Sequence, residues 1–143
     1  MDFNTAFEKL MQFEGGFVNN PKDPGGATNF GITQAVARSH GYTGDMQDLP
    51  VGTAKAIYQT DYWNLMLCDN LPDPLKYPVF DAAVNNGSGN ARRWLLLAEQ
   101  GDCTPQQQVA RFCGYRLKYY ASLPTWPVFG HGWVNRVSSI LIM

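Results

Sequence analysis

Charge is sparse in this chain: Asp, Glu, Lys and Arg make up 16% of its 143 residues, and the formal net charge is -1. The only adjacent basic residues are Arg92 and Arg93. That balance argues against duplex nucleic acid or an anionic membrane as partner, and a neutral or zwitterionic polymer suits it better. Cysteine is equally scarce. Cys68, Cys103 and Cys113 show no C-x-x-C spacing and leave an odd thiol, so they are expected to be reduced and to pack as small hydrophobes. With His40 and His131 far apart in sequence, neither a metal nor any other cofactor is expected. No 18 apolar residues run together, and the start, MDFNTAFEKLMQFE, lacks a basic segment followed by an apolar stretch. Synthesis in the cytoplasm without a signal peptide, and no stable membrane association, are the corresponding expectations. Repeats, low-complexity tracts and linkers are missing too, so the expectation is one compact monomeric domain over residues 1–143.

What is present is a globular composition, 45% hydrophobic with Trp 4, Tyr 7 and Phe 8, long enough to fold unaided. Phe3, Phe7, Leu10 and Met11 recur at helical spacing, with Gly15 and Gly16 as a stop signal. Residues 17–33, rich in Gly, Pro and Asn, read as a long loop with room for a short β-hairpin. Such a loop in a compact domain is often functional. Thr33 is a candidate cap for a short helix ending at Gly41, and Thr53 for one running from Ala54 to about Leu67. Further helices are expected at Leu75–Asn86, at about Ala91–Gln100, from Thr104-Pro105 to about Leu123, and from Trp133 to about Ile142. The segment TWPVFGHGW is expected to turn the chain into that last helix. The fold class is therefore mainly α.

One residue conflicts with this packing logic. At 100° per residue Glu14 falls on the apolar stripe of helix one, expected in its last turn. The negative end of the helix dipole and partial burial would both favour the neutral acid there. A carboxylic acid kept neutral is what glycoside hydrolysis needs to protonate a leaving oxygen. The alternative is a helix-end Glu whose side chain reaches solvent or pairs with an arginine. The following loop supplies Asp23 as the candidate second carboxylate, with Thr28 and Asn29 as polar positioning groups. Asp23 before Pro24 and Gly25 also suits a simple turn, and Thr28 could satisfy its own backbone.

The stretch EGGFVNNPKDPGGATNFGIT, residues 14 to 33, resembles the signature of glycoside hydrolase family 108, phage-type N-acetylmuramidases of lysozyme-like fold. The resemblance continues in IYQTDYW, FDAAVNNG and FGHGWVNRV and so covers essentially the whole chain, with residues 1–90 as the catalytic signature region and 91–143 resembling a peptidoglycan-binding segment. It implies Glu14 as catalytic acid, in agreement with the helix argument. In the wider phage lysozyme pattern Asp23 keeps the first gap from Glu14, Asn29 occupies the threonine spacing and Thr28 falls one short. Asn20 and Phe17 stand where the family often has Asp and Tyr.

The implied activity is cleavage of the β-1,4 bond between N-acetylmuramic acid and N-acetylglucosamine in bacterial peptidoglycan. Asp23 would orient a water or stabilise the oxocarbenium-like transition state, and Thr28 and Asn29 would help to hold that water. Tyr62, Trp63 and Asn85, in the matched segments, are candidate saccharide contacts, although both aromatics suit core packing as well. A lytic transglycosylase, a non-catalytic wall-binding or phage structural protein, and a toxin delivered to competitor bacteria are the rival readings. Action in the periplasm or cell wall would require release by a holin, dedicated export or lysis.

Overall fold

The computed structural model describes residues 1–22 and 26–143. The chain divides into two compact units, Asp2–Asn64, and Leu65–Met143 together with Met1. Mainly helical structure and a short hairpin after the first helix match the fold class read from the sequence.

In the first unit α1 spans Phe3–Met11, with the Asp2 carboxylate accepting from the Thr5 amide as its cap. Phe3, Ala6, Phe7 and Leu10 are buried along one face. The helix closes at Met11 because the amides of Gln12 and Phe13 bond to the carbonyls of Lys9 and Leu10, a tightened last turn. Glu14 therefore stands beyond the helix, not in its last turn as the stripe implied. Strands β1 (Thr28–Asn29) and β2 (Ile32–Thr33) pair antiparallel, with Thr28 opposite Thr33 and Asn29 opposite Ile32. Helix α2 (Gln34–Ser39) is capped by the Thr33 hydroxyl, as its sequence indicates.

Helix α3 runs Val51–Tyr58 from Pro50. It starts before the expected cap, and Thr53 lies inside it. From Gln59 to Asn64 the chain winds as a wide π-helical turn, a geometry that often accompanies functional sites. A row of aromatic rings packs this unit. Phe3 meets Phe7 at 6.0 Å and Trp63 at 5.6 Å, and Phe7 meets Tyr58 at 5.7 Å.

The second unit holds α4 (Asp73–Asn86), α5 (Ser88–Ala98), α6 (Pro105–Ala121) and α7 (Trp126–Leu141). Pro74 sits in the first turn of α4, where a missing amide costs nothing, so the helix begins at Asp73, earlier than the expected Leu75. Thr104 and Gln107 close a reciprocal capping box on α6. Helix α7 begins at Trp126, well before the expected Trp133, because Pro127 in its first turn starts the helix and does not break it. Gly130 is consequently helical. A Cβ there would lie 2.7 Å from the Trp126 ring, so the glycine makes room for an indole one turn back. Trp133 stacks on Tyr120 at 4.5 Å between centroids and 12° between planes.

At the centre of this unit Asp81 is fully buried on α4. It accepts from Arg116 Nη1 at 2.6 Å and from Arg136 Nε at 2.9 Å, tying α4 to α6 and α7. Arg116 Nε donates to the Tyr120 hydroxyl, which donates to Asn86 Oδ1. Among the described residues no helix is long and apolar enough to cross a membrane, and no group of three metal-binding side chains occurs.

Two outcomes follow for the interior. Asp81→Asn leaves two guanidinium groups facing a neutral amide, and a urea titration should show stability falling by about 3–5 kcal/mol. A loss under about 1 kcal/mol would mean the arginines find other partners. The cysteines are free, with Cys68 and Cys113 buried. Burial pushes the Cys68 thiol up to about 12 and the Cys113 thiol up to about 11. Both stay protonated and poorly nucleophilic at neutral pH. An alkylating reagent at pH 7.5 should modify half-buried Cys103 alone in the folded protein and all three thiols in denaturant, read by intact mass.

Candidate active site

The hairpin is where the first unit brings chemistry together. Its two-residue turn is Phe30 and Gly31, with φ of 50° and 73°, the doubly left-handed turn that matches strand twist. Gly31 adopts that region freely. Phe30 does so at a cost of about 1–2 kcal/mol. Two side chains hold the turn in place. Asn29 Oδ1 accepts from the Phe30 amide at 2.9 Å, and the Tyr58 hydroxyl donates to the Phe30 carbonyl at 2.8 Å.

Glu14 meets the hairpin at this turn. A Cβ on Gly31 would stand 2.6 Å from Glu14 Oε2 and 2.7 Å from the Tyr58 hydroxyl oxygen, so carboxyl and phenol both press on the bare face of the glycine. Glu14 itself is half-buried. Tyr62 follows Tyr58 by one turn, ring to ring at 5.6 Å. Burial raises the pKa of its phenol above the ordinary value, and the negative charges of Asp61 and Glu14 add to that rise. Tyr62 thus remains a neutral hydroxyl at physiological pH. On the same wide turn Asp61 Oδ2 lies 2.9 Å from His40 Nε2.

The sequence candidates divide accordingly. Glu14 and Tyr62 share this neighbourhood. Thr28 is half-buried on β1, where its amide and carbonyl pair with those of Val18 at 2.8 Å each. Asn29 is 6% exposed, with its amide nitrogen donating to the Met46 and Gln47 carbonyls, so it holds the hairpin and has no face for a saccharide. Trp63 is 1% exposed, which makes it core and removes it from the stacking candidates. Asn85 is an exposed residue of α4, in the other unit, donating to the Asp81 carbonyl. Asp23 lies outside the described residues. Gly31, Tyr58 and the His40–Asp61 pair were not among the candidates. The run Asn-Phe-Gly-Ile-Thr held a hairpin signal for Gly31, and the spacing of Tyr58 and Tyr62 placed both on one helical face. Nothing in the sequence joined either to Glu14.

The role of Gly31 is open to measurement. Gly31→Ala should lower stability in urea by about 1–2 kcal/mol from left-handed strain and should move the Glu14 carboxyl carbon resonance. Gly16→Ala, where a Cβ would meet nothing within 4 Å, should change stability by less than about 0.5 kcal/mol. Equal effects at the two positions would refute a special role for the bare face of Gly31.

No curated protein matches this sequence. Among solved structures, one described as "Structure of Brucella abortus SagA" is similar, at 30% identity and a TM-score of 0.82, covering 97% of this chain and 91% of that one. The mainly helical architecture with its small hairpin is accordingly lysozyme-like. A family model described as "Glycosyl hydrolase 108" matches residues 7–87. That span is more than half of the sequence and takes in Glu14, the hairpin and the Tyr58–Tyr62 turn, so the chain belongs to the glycosyl hydrolase 108 family.

Proposed function

We propose that this glycoside hydrolase is an N-acetylmuramidase of the endolysin type, cleaving the β-1,4 bond between N-acetylmuramic acid and N-acetylglucosamine with Glu14 as the general acid. The observation that carries the reading is the seat of Glu14. Its carboxyl is held against the glycine of a tight turn, beside Tyr58 and in the field felt by Tyr62. In the reaction Glu14 gives its proton to the glycosidic oxygen as the bond to the anomeric carbon breaks. A water then adds to that carbon, and its proton leaves to a base. Asp23 takes that proton or, as an anion, stabilises the oxocarbenium-like transition state, and Thr28 helps to hold the water. A substrate hydroxyl attacking in place of water would make the protein a lytic transglycosylase. Contact with the wall beyond the reacting sugars falls to residues 91–143, which present Val128 and Phe129 to solvent. The protein acts in the periplasm or wall after release by a membrane pore, lysis or dedicated export.

Purified sacculi free of outer membrane should lose turbidity with the wild type. With Glu14→Gln the rate should fall by about 10²- to 10⁴-fold, the usual contribution of a general acid. Gly31→Ala should fall by about 10²-fold through misplacement of the acid. Fragments ending in reducing N-acetylmuramic acid support hydrolysis, and anhydro ends would replace it with transglycosylation. Sedimentation with sacculi but no clearing would reduce the protein to a wall binder.

A further inference from the structure

A concave site lies on the flank of the hairpin that faces Met46 and Gln47. It is an open concavity of about 270 Å³, and its lining includes Phe17, Asn19, Gln34, Arg38, Asp45 and Gln47. Its polar side chains are exposed to solvent. The side chains of Asn19, Gln34, Asp45 and Gln47 make no hydrogen bond or ion pair among the described residues, and Arg38 and Asp45 do not pair with each other.

The guanidinium of Arg38 is nevertheless held in place. Nη1 donates to the carbonyls of Tyr42 and Gly44 at 2.7 and 2.8 Å, and the group lies 5.9 Å from the centre of the Tyr42 ring. Tyr42 is fixed in turn, its hydroxyl donating to the Asp45 carbonyl at 2.7 Å. The remaining N–H groups of Arg38 make no hydrogen bond among the described residues. A fixed guanidinium with free donors is a preorganised carboxylate receptor. Asp45, on the same wall, is a free acceptor for an ammonium group.

Opposite charges that share one small pocket without neutralising each other fit a zwitterion better than an anion, a cation or an uncharged sugar. The three carboxamides would pair with peptide amides. We infer that this pocket binds the peptide stem of the substrate, at a diamino acid whose free end carries a carboxylate for Arg38 and an ammonium for Asp45. Diaminopimelate has both groups on one carbon; lysine at the same position presents only the ammonium. The pocket would therefore favour diaminopimelate-type walls. This assignment rests on peptidoglycan being the substrate, but the pocket itself is tested without turnover.

The test uses Glu14→Gln protein labelled with nitrogen-15, so binding is read apart from catalysis. Titration with the free tripeptide L-alanyl-γ-D-glutamyl-meso-diaminopimelate should shift the side-chain amide signals of Gln34 and Gln47. Adding Asp45→Asn and Gln34→Ala, neither of which removes a hydrogen bond or ion pair among the described residues, should weaken binding roughly five- to tenfold, the loss of one exposed ion pair and one hydrogen bond. The lysine tripeptide should bind more weakly than the diaminopimelate one by a similar factor. In the active protein the same two substitutions should raise KM on intact sacculi and leave kcat unchanged. On glycan strands stripped of peptide by an amidase they should change neither. No shift at millimolar tripeptide overturns the inference, as do equal affinity for the two tripeptides and displacement of the signals by a chitin tetrasaccharide. Failure of the wild type to cut either substrate would count against the hydrolase reading and leave the titration result standing.

Discussion

A single buried carboxylate organises the C-terminal helices. Asp81 stands with no solvent exposure and is met by Arg116 from α6 and Arg136 from α7. Burying these groups has a desolvation penalty of several kcal/mol per ion, which the attraction between them only partly offsets. Arg116 Nη2 is buried with no hydrogen-bond partner in the described structure, a further unfavourable contribution. The network is therefore better understood as fixing which helices meet, and at what rotation, than as a source of stability. The arginine-to-tyrosine-to-asparagine chain extends that constraint to the end of α4 at Asn86. The Trp133 ring stacks over Tyr120 within the same chain of contacts.

The N-terminal unit uses a different device at its site. Its hairpin is only two residues on each side, too short to be stable by itself, and it carries a phenylalanine in a left-handed conformation at the turn. Such strain persists only where the surroundings over-determine it. Here the Asn29 carboxamide bonds to three backbone groups and the Tyr58 hydroxyl to a fourth. The turn thereby offers Gly31 as a rigid surface for the Glu14 carboxyl. The acid is located by a contact between distant parts of the sequence, not by helix geometry.

That difference explains what could be read from residues alone. Local signals were reliable where one residue decides the outcome. Thr33 and Thr104 cap their helices, Gly41 and Gly101 adopt left-handed φ after theirs, and the region 17–33 contains the hairpin. They failed where a proline has two uses. Pro74 and Pro127 sit in first turns, so α4 and α7 begin earlier than the expected Leu75 and Trp133. Glu14 was legible as a misplaced carboxylate and as a motif residue, although the helix ends before reaching it. Its partners were not. Gly31 and Tyr58 become site residues only when the hairpin folds back on α3, and Asn29 and Trp63 are drawn into the interior by the same event. Polar or aromatic character cannot announce which of two neighbours will face inward.

In the proposed reaction the seat of Glu14 bears on the transfer of its proton. A general acid must be held while its proton departs, and a carboxyl resting on a glycine face has little room to retreat. The adjacent Tyr62 phenol is kept protonated by burial and by the nearby carboxylates. It can donate a hydrogen bond without adding a charge. The aromatic row from Phe3 through Phe7 to Tyr58 thus has two consequences at once. It packs α1 against α3, and it fixes the hydroxyl that holds the turn on which Glu14 rests.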